Sequence, residues 1–162
     1  KLVKFVQLFT KEMSQVIRIT KEFTFEMSHV LPGYDGPCRN VHGHSYRLFV
    51  TVAGIPVNNA LNPKNGMVMD FSDMKKIVMN EILGIFDHAV AIPGDMDREK
   101  TETLKKMFGN TIVVDYQPTC ENLVTDFAMR IKNQLPADVK LYSLKLYETA
   151  TSFAEWFSSD NE

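Results

Sequence analysis

The chain has 162 residues, 44% of them hydrophobic, which is enough for one domain with a core of ordinary size. Eighteen Lys and Arg against 20 Asp and Glu give a net charge of −2, and no basic cluster interleaved with aromatics offers a surface to nucleic acid. No apolar run reaches the roughly 20 residues that span a bilayer, and 2 cysteines in this length point to a reduced, cytoplasmic setting without a disulfide framework.

Residues 1–14 are poorly informative: an apolar start broken by Lys11 and Glu12, with no small-residue cleavage site after it. They are read as an extension of a single domain covering 1–162. Two strands follow, from Gln15 to His29 and from His44 to Ile55. Alternation puts Phe23, Phe25, Met27 and His29 on one face of the first, and His42, His44, Tyr46, Leu48, Val50 and Val52 on one face of the second. The turn-rich run Leu31-Pro32-Gly33-Tyr34-Asp35-Gly36-Pro37 between them delivers Cys38 close to His42 and His44. Asn65-Gly66 signals another turn. With Ser72 as N-cap, Met74, Ile77, Val78, Ile82 and Ile85 follow at helical spacing, so the first helix is expected to end near Asp87 and His88.

The stretch from Pro93 to Asn110 reads as charged loop with a short helix over Glu99 to Phe108, and Thr111 to Tyr116 as a brief strand. Pro118-Thr119 opens a second major helix with an apolar stripe of Leu123, Val124, Phe127, Ala128, Ile131 and Leu135, stopped by Pro136. A last strand runs from Val139 to about Thr149, with Tyr142, Leu144, Leu146 and Glu148 on one face. The order strand, strand, helix, strand, helix, strand predicts an α+β domain with a mostly antiparallel sheet.

The chemistry-bearing residues gather at the strand ends. A His-x-His pair in an extended strand presents two imidazoles on one side, and His29 joins His42 and His44 if the first two strands pair as a hairpin. Three neutral imidazoles leave a fourth zinc position open, as in catalytic sites. Two plainer readings stay open: three ordinary partly buried histidines, or a closed structural site completed by Cys38. Asp87-His88 pairs a carboxylate with an imidazole that could hold a nearby thiol partly ionised, although a solvated helix-terminal pair is the more common meaning of such a dipeptide. Glu148 on an apolar face needs a partner, either a cation across the sheet or a guanidine-like ligand edge. Thr119, Cys120, Glu121 and Asn122 are explained by capping and first-turn preferences, with Cys120 as packing.

Taken together, Phe23-Thr24-Phe25-Glu26-Met27-Ser28-His29, Cys38-x-x-x-His42-Gly43-His44-Ser45-Tyr46, Gly66-Met67-Val68-Met69-Asp70-Phe71, Asp87-His88, Pro118-Thr119-Cys120-Glu121-Asn122 and Tyr147-Glu148-Thr149 resemble the 6-pyruvoyltetrahydropterin synthase family over about residues 16 to 150. They are closer to its bacterial branch, the 6-carboxytetrahydropterin synthases. The resemblance implies a T-fold: an antiparallel four-stranded sheet with two helices on one face, trimers closing into a barrel, and two trimers stacked as a homohexamer with active sites between subunits. It implies Zn2+ held by His29, His42 and His44, Cys38 as the base, Asp87 with His88 as a relay, Glu148 as the pterin anchor, and Thr119 and Glu121 nearby. The implied substrate is 7,8-dihydroneopterin triphosphate. The implied product is 6-carboxytetrahydropterin for queuosine and other deazapurines, or the pyruvoyl compound in the alternative branch; a zinc-stabilised pterin-binding oligomer without turnover is a third reading. The three-residue gap between Cys38 and His42, and Asp70, favour the carboxy branch. The stretch from Ala89 to Gln117 is longer than that resemblance leads one to expect.

Overall fold

The computed structural model describes residues 15–161, so the reading of residues 1–14 as an extension lies outside the described residues. The chain forms β1 (Ile17–His29), β2 (His42–Gly54), α1 (Phe71–Val78), β3 (Ala89–Pro93), α2 (Arg98–Met107), β4 (Thr111–Val114), α3 (Cys120–Lys132), β5 (Lys140–Tyr147) and β6 (Phe153–Phe157). The sheet has six strands in the order β4-β3-β1-β2-β5-β6, which corrects the expected four. β1, β2, β5 and β6 are antiparallel neighbours, while β3 pairs in parallel with both β1 and β4.

β3 escapes the alternation test because all five of its residues, Ala89 to Pro93, are buried, so the strand has no polar face to reveal its period. β6 is short and keeps Phe153 exposed, which gives it little core signature. The alternation of β5 also shifts. Its register against β2 skips at Thr51/Val52, a bulge that buries Leu141 and turns Tyr142 away from the core face it was expected to share. Tyr142 instead lies under the Arg18 guanidinium, 3.8 Å from its ring centre.

One core fills the space between the inward sheet face and the helices. Phe23, Phe25 and Met27 of β1 and Tyr46, Leu48, Val50 and Val52 of β2 pack against Met74, Val78, Ile82 and Phe86 and against the stripe of α3. α1 is capped by the Asp70 carboxylate, which accepts from the Ser72 amide, so the cap lies two residues before the expected one. Beyond Val78 the helix widens into a π-helical turn, Met79–Leu83, and closes with Gly84–Phe86. Gly66, at φ +84°, makes the turn that the Asn65-Gly66 pair signals. α2 buries no side chain fully. It sits over a second, smaller apolar cluster of Val30, Val90 and Ile92 with Met96, Leu104 and Phe108.

Phe127 joins the layers: fully buried, it meets Phe25 of the sheet at 6.1 Å and Phe86 at 4.9 Å between ring centres. Phe127→Ala is expected to cost about 3–5 kcal/mol through lost burial and the cavity left behind, read as a lower urea midpoint.

Candidate functional site

The antiparallel register sets His29 directly opposite His42 and Met27 opposite His44. Because His42 and His44 are two residues apart, both rings fall on the side of the sheet that carries His29. Gly43 between them points the other way, and a Cβ there would come within 2.9 Å of the Ser28 hydroxyl and 3.3 Å of the Met27 carbonyl. The glycine therefore lets the two strands close up where the histidines meet.

Among the described residues, His29, His42 and His44 form the group of metal-ligating side chains, with one ligand atom from each lying within 4.8 Å of the others. Their orientation is fixed from behind. His29 Nδ1 donates to the Pro118 carbonyl at 2.6 Å, and His42 Nδ1 to the Asn40 carbonyl at 2.9 Å, since a carbonyl can only accept. In the neutral rings this leaves both Nε2 atoms bare, and they stand 3.1 Å apart. Two lone pairs at that distance repel unless a cation lies between them. His44 Nε2 is buried without a hydrogen-bond partner, an expensive state for a polar atom that a metal ion would relieve. The donor set thus fits a divalent cation bound by three imidazoles. Cys38 is free, half-buried and not a member of the group.

Glu148, just beyond β5, borders the triad. Its Oε1 is 3.6 Å from His29 Nε2 and 3.8 Å from His44 Nε2, and it accepts a long hydrogen bond of 3.5 Å from the Tyr46 hydroxyl. Its position is set by the turn into β6, where the Glu148 amide bonds the Ser152 carbonyl and the Thr149 hydroxyl accepts from the amides of Thr151 and Ser152. Tyr46 was not singled out from sequence. It is fully buried, and its phenol is pushed well above the ordinary range, first by burial and then by the Glu148 charge, so it remains a neutral donor to that carboxylate. The available signal was its place two residues after His44 on the same face. Pro118 and Asn40 act through backbone carbonyls, which side-chain reasoning does not reveal.

The other expected residues are placed as follows. Cys38 lies in a short 3-10 turn, Pro37–Arg39, with its carbonyl bonded to the Leu31 amide at 3.1 Å. Asp87 and His88 clamp the edge of β1: Asp87 Oδ1 accepts from the Glu26 amide at 2.9 Å, and the His88 amide donates to the Glu26 carbonyl at 2.6 Å. This clamp aligns β3 beside β1 and holds His88 at φ 57°, the left-handed region. The His88 side chain is 78% exposed, its Nδ1 is 2.9 Å from Asp87, and among the described residues no hydrogen bond joins it to Cys38. It borders a groove with Glu26, Ser28, Gly43 and Ser45, on the polar face of the β1–β2 pair. Thr119 caps α3 by accepting from the Asn122 amide, and Glu121 is exposed in the first turn. Cys120 points inward to the Leu146 carbonyl, and burial pushes its thiol up to about 12, which makes it inert packing.

Fold and site define an α+β domain with a corner of three histidines on a strand pair that could hold a metal ion. A family model described as 6-pyruvoyl tetrahydropterin synthase matches residues 18–158. The 6-carboxy-5,6,7,8-tetrahydropterin synthase of Haemophilus influenzae is 37% identical over 143 residues, covering 87% of this chain and 99% of that protein. The enzyme of the same name from Rickettsia typhi is 32% identical over 143 residues, covering 86% and 99%. In fold, the chain is similar to the 6-pyruvoyl tetrahydropterin synthase of Caenorhabditis elegans, with a TM-score of 0.63 at 22% identity over 90% of this chain and 98% of that one. An uncharacterized protein from Wolinella succinogenes superposes with a TM-score of 0.72 at 20% identity, covering 90% and 99%. The chain belongs to the 6-pyruvoyl tetrahydropterin synthase family.

Burial, above all, lowers the pKa of both His29 and His44, against the pull of the Glu148 charge. A base whose folded pKa is depressed takes up its proton more readily when unfolded, so stability is retained above the ordinary value of about 6.5 and lost as pH falls below it. The metal-free protein is expected to melt at progressively lower temperature as pH drops from 6.5 towards 5, and His29→Phe should flatten that dependence in a calorimetric series.

Proposed function

We propose that the chain is a zinc-dependent lyase that converts 7,8-dihydroneopterin triphosphate to 6-carboxy-5,6,7,8-tetrahydropterin with release of acetaldehyde and triphosphate, in the service of queuosine and other deazapurines. The observation that supports it most directly is the convergence of three imidazoles, with the far nitrogens of His29 and His42 held by carbonyls and His44 Nε2 buried without a hydrogen-bond partner. The relatives named 6-carboxytetrahydropterin synthase favour the carboxy product over the pyruvoyl one.

His29, His42 and His44 would hold the zinc, which when bound supplies Lewis acidity to the side-chain hydroxyls of the pterin. Cys38 acts as the base that moves a proton between the pterin ring and its side chain. Asp87 and His88 serve as the relay, Asp87 fixing the imidazole through Nδ1 so that the outer nitrogen is free to exchange a proton with a thiol. Glu148 anchors the amino-pyrimidine edge by two parallel hydrogen bonds, with Tyr46 orienting the carboxylate and Thr119 and Glu121 at the margin. Because His88 is exposed and not joined to Cys38 within one chain, the relay is assigned to a neighbouring copy. Among the described residues β6 has one partner strand and β1 pairs with β3 over Met27–His29, so both offer edges able to pair with further copies in a homohexamer of two trimers. The whole chain 1–162 acts as one cytoplasmic domain in this reading.

Incubation of the zinc-loaded protein with dihydroneopterin triphosphate should release acetaldehyde together with a product of the carboxylate's mass. A pyruvoyl product without acetaldehyde assigns the chain to the other branch. Cys38→Ala should keep its zinc and lose on the order of 10²- to 10⁴-fold in kcat; full activity in that variant excludes Cys38 as the base. Glu148→Gln should weaken pterin binding by about 2 kcal/mol, roughly thirty-fold in Kd, with zinc content unchanged, because one charged acceptor is lost.

A further inference from the structure

A carboxylate oxygen binds zinc as closely as an imidazole nitrogen does, and the ligand atoms of a tetrahedral zinc site stand roughly 3.4 Å from one another. Glu148 Oε1 lies 3.6 Å from His29 Nε2 and 3.8 Å from His44 Nε2, close to that spacing on two sides. It nevertheless stands outside the metal-ligating group, which among the described residues consists of His29, His42 and His44. The attraction between a divalent cation in that group and an anionic oxygen so near would draw the oxygen in, so the carboxylate needs a restraint to stay off the metal.

The restraint is visible in the core. Among the described residues, one hydrogen bond reaches the Glu148 carboxylate, from the Tyr46 hydroxyl to Oε1 at 3.5 Å, and Oε1 is the oxygen that faces the histidines. Tyr46 is fully buried, with its ring stacked on Phe25 at 5.1 Å and 9° and set edge-on to His44 at 5.6 Å. The phenol is therefore a fixed donor. Glu148 is the looser partner: its amide is tied to the Ser152 carbonyl at 3.1 Å, while its side chain keeps 25% of its exposure. A phenylalanine at position 46 would fill the same space against Phe25 and omit only the donor.

We propose that Tyr46 is a positioning residue that holds Glu148 off the metal, so that the fourth ligand position stays open and the carboxylate stays available to the pterin. This deepens the reading under Proposed function and rests on it. The two uses of the carboxylate exclude each other, because an oxygen bonded to the ion is lost to the pair of parallel hydrogen bonds that would grip an amino-pyrimidine edge. Distance alone does not separate them at this corner, and the hydroxyl supplies the preference. It also gives a purpose to a polar atom in a core position where the ring by itself would pack equally well.

Two measurements on the full chain test this without turnover: zinc affinity by competition with a chromophoric chelator, and the visible spectrum of the Co2+-loaded protein, whose bands follow the ligand set. Tyr46→Phe should bind zinc roughly ten-fold more tightly, change the cobalt spectrum and bind unphosphorylated dihydroneopterin roughly ten-fold more weakly, as the released carboxylate moves onto the metal. A merely structural loss of the hydroxyl would lower zinc affinity or leave it unaltered, and either result overturns the proposal. In a Glu148→Gln background, Tyr46→Phe should no longer raise zinc affinity; a gain that persists there overturns it as well. If Tyr46→Phe does not fold, Glu148→Gln alone decides: with Tyr46 in place its cobalt spectrum should match the wild type, and a changed spectrum means that Glu148 is already a ligand, which overturns the proposal. Failure of the wild type to turn over dihydroneopterin triphosphate would remove the lyase reading instead, and the metal titrations report on Tyr46 separately.

Discussion

The antiparallel register of β1 against β2 is the constraint from which the site follows. With His29 opposite His42, a strand pair held by a continuous backbone ladder brings three imidazoles to one corner. A slip of one residue would turn one strand's apolar set to solvent and carry its histidines with it. The register is pinned by burial, since Phe23, Phe25, Met27, Tyr46, Leu48, Val50 and Val52 all lie inside and have no alternative face. The same hydrophobic alternation that makes the sheet therefore also aims the ligands.

Burying this corner has a cost that defines what it can do. His29 is 1% exposed, and desolvation disfavours its protonated form. A pair of bare nitrogens 3.1 Å apart is tolerated in a folded protein when something positive is shared between them. The Pro118 carbonyl, one residue before the cap of α3, links this arrangement to the helix layer. Holding a ring by its far nitrogen fixes both tautomer and direction, so the convergence of the three histidines is set by the protein itself.

The neighbouring groups divide into those the single chain assembles and those it does not. Glu148 and Tyr46 are brought to the triad by β5 and β2, neighbours in the sheet. Asp87 and His88 are committed to the edge of β1, where they double as the backbone clamp that starts β3. That double use explains a left-handed histidine, because the chain must reverse sharply from helix to parallel strand at that residue. A side chain held there reaches outward into solvent.

The sequence by itself carried the motif positions, both long strands, the two main helices and the face that bears His29, His42 and His44, because alternation and helical spacing are local properties. It also placed the short helix within one residue at each end, Arg98–Met107 against Glu99 to Phe108. It did not carry β3, whose five buried residues have no period to read, nor β6, nor the bulge that moved Tyr142 off the core face. Nor could it show that Asn40 and Pro118 hold the rings, since these contacts act through the backbone and, for Pro118, join residues far apart in the chain. Local periodicity decides which side a residue faces; only the packed sheet and its crossovers decide what it meets there.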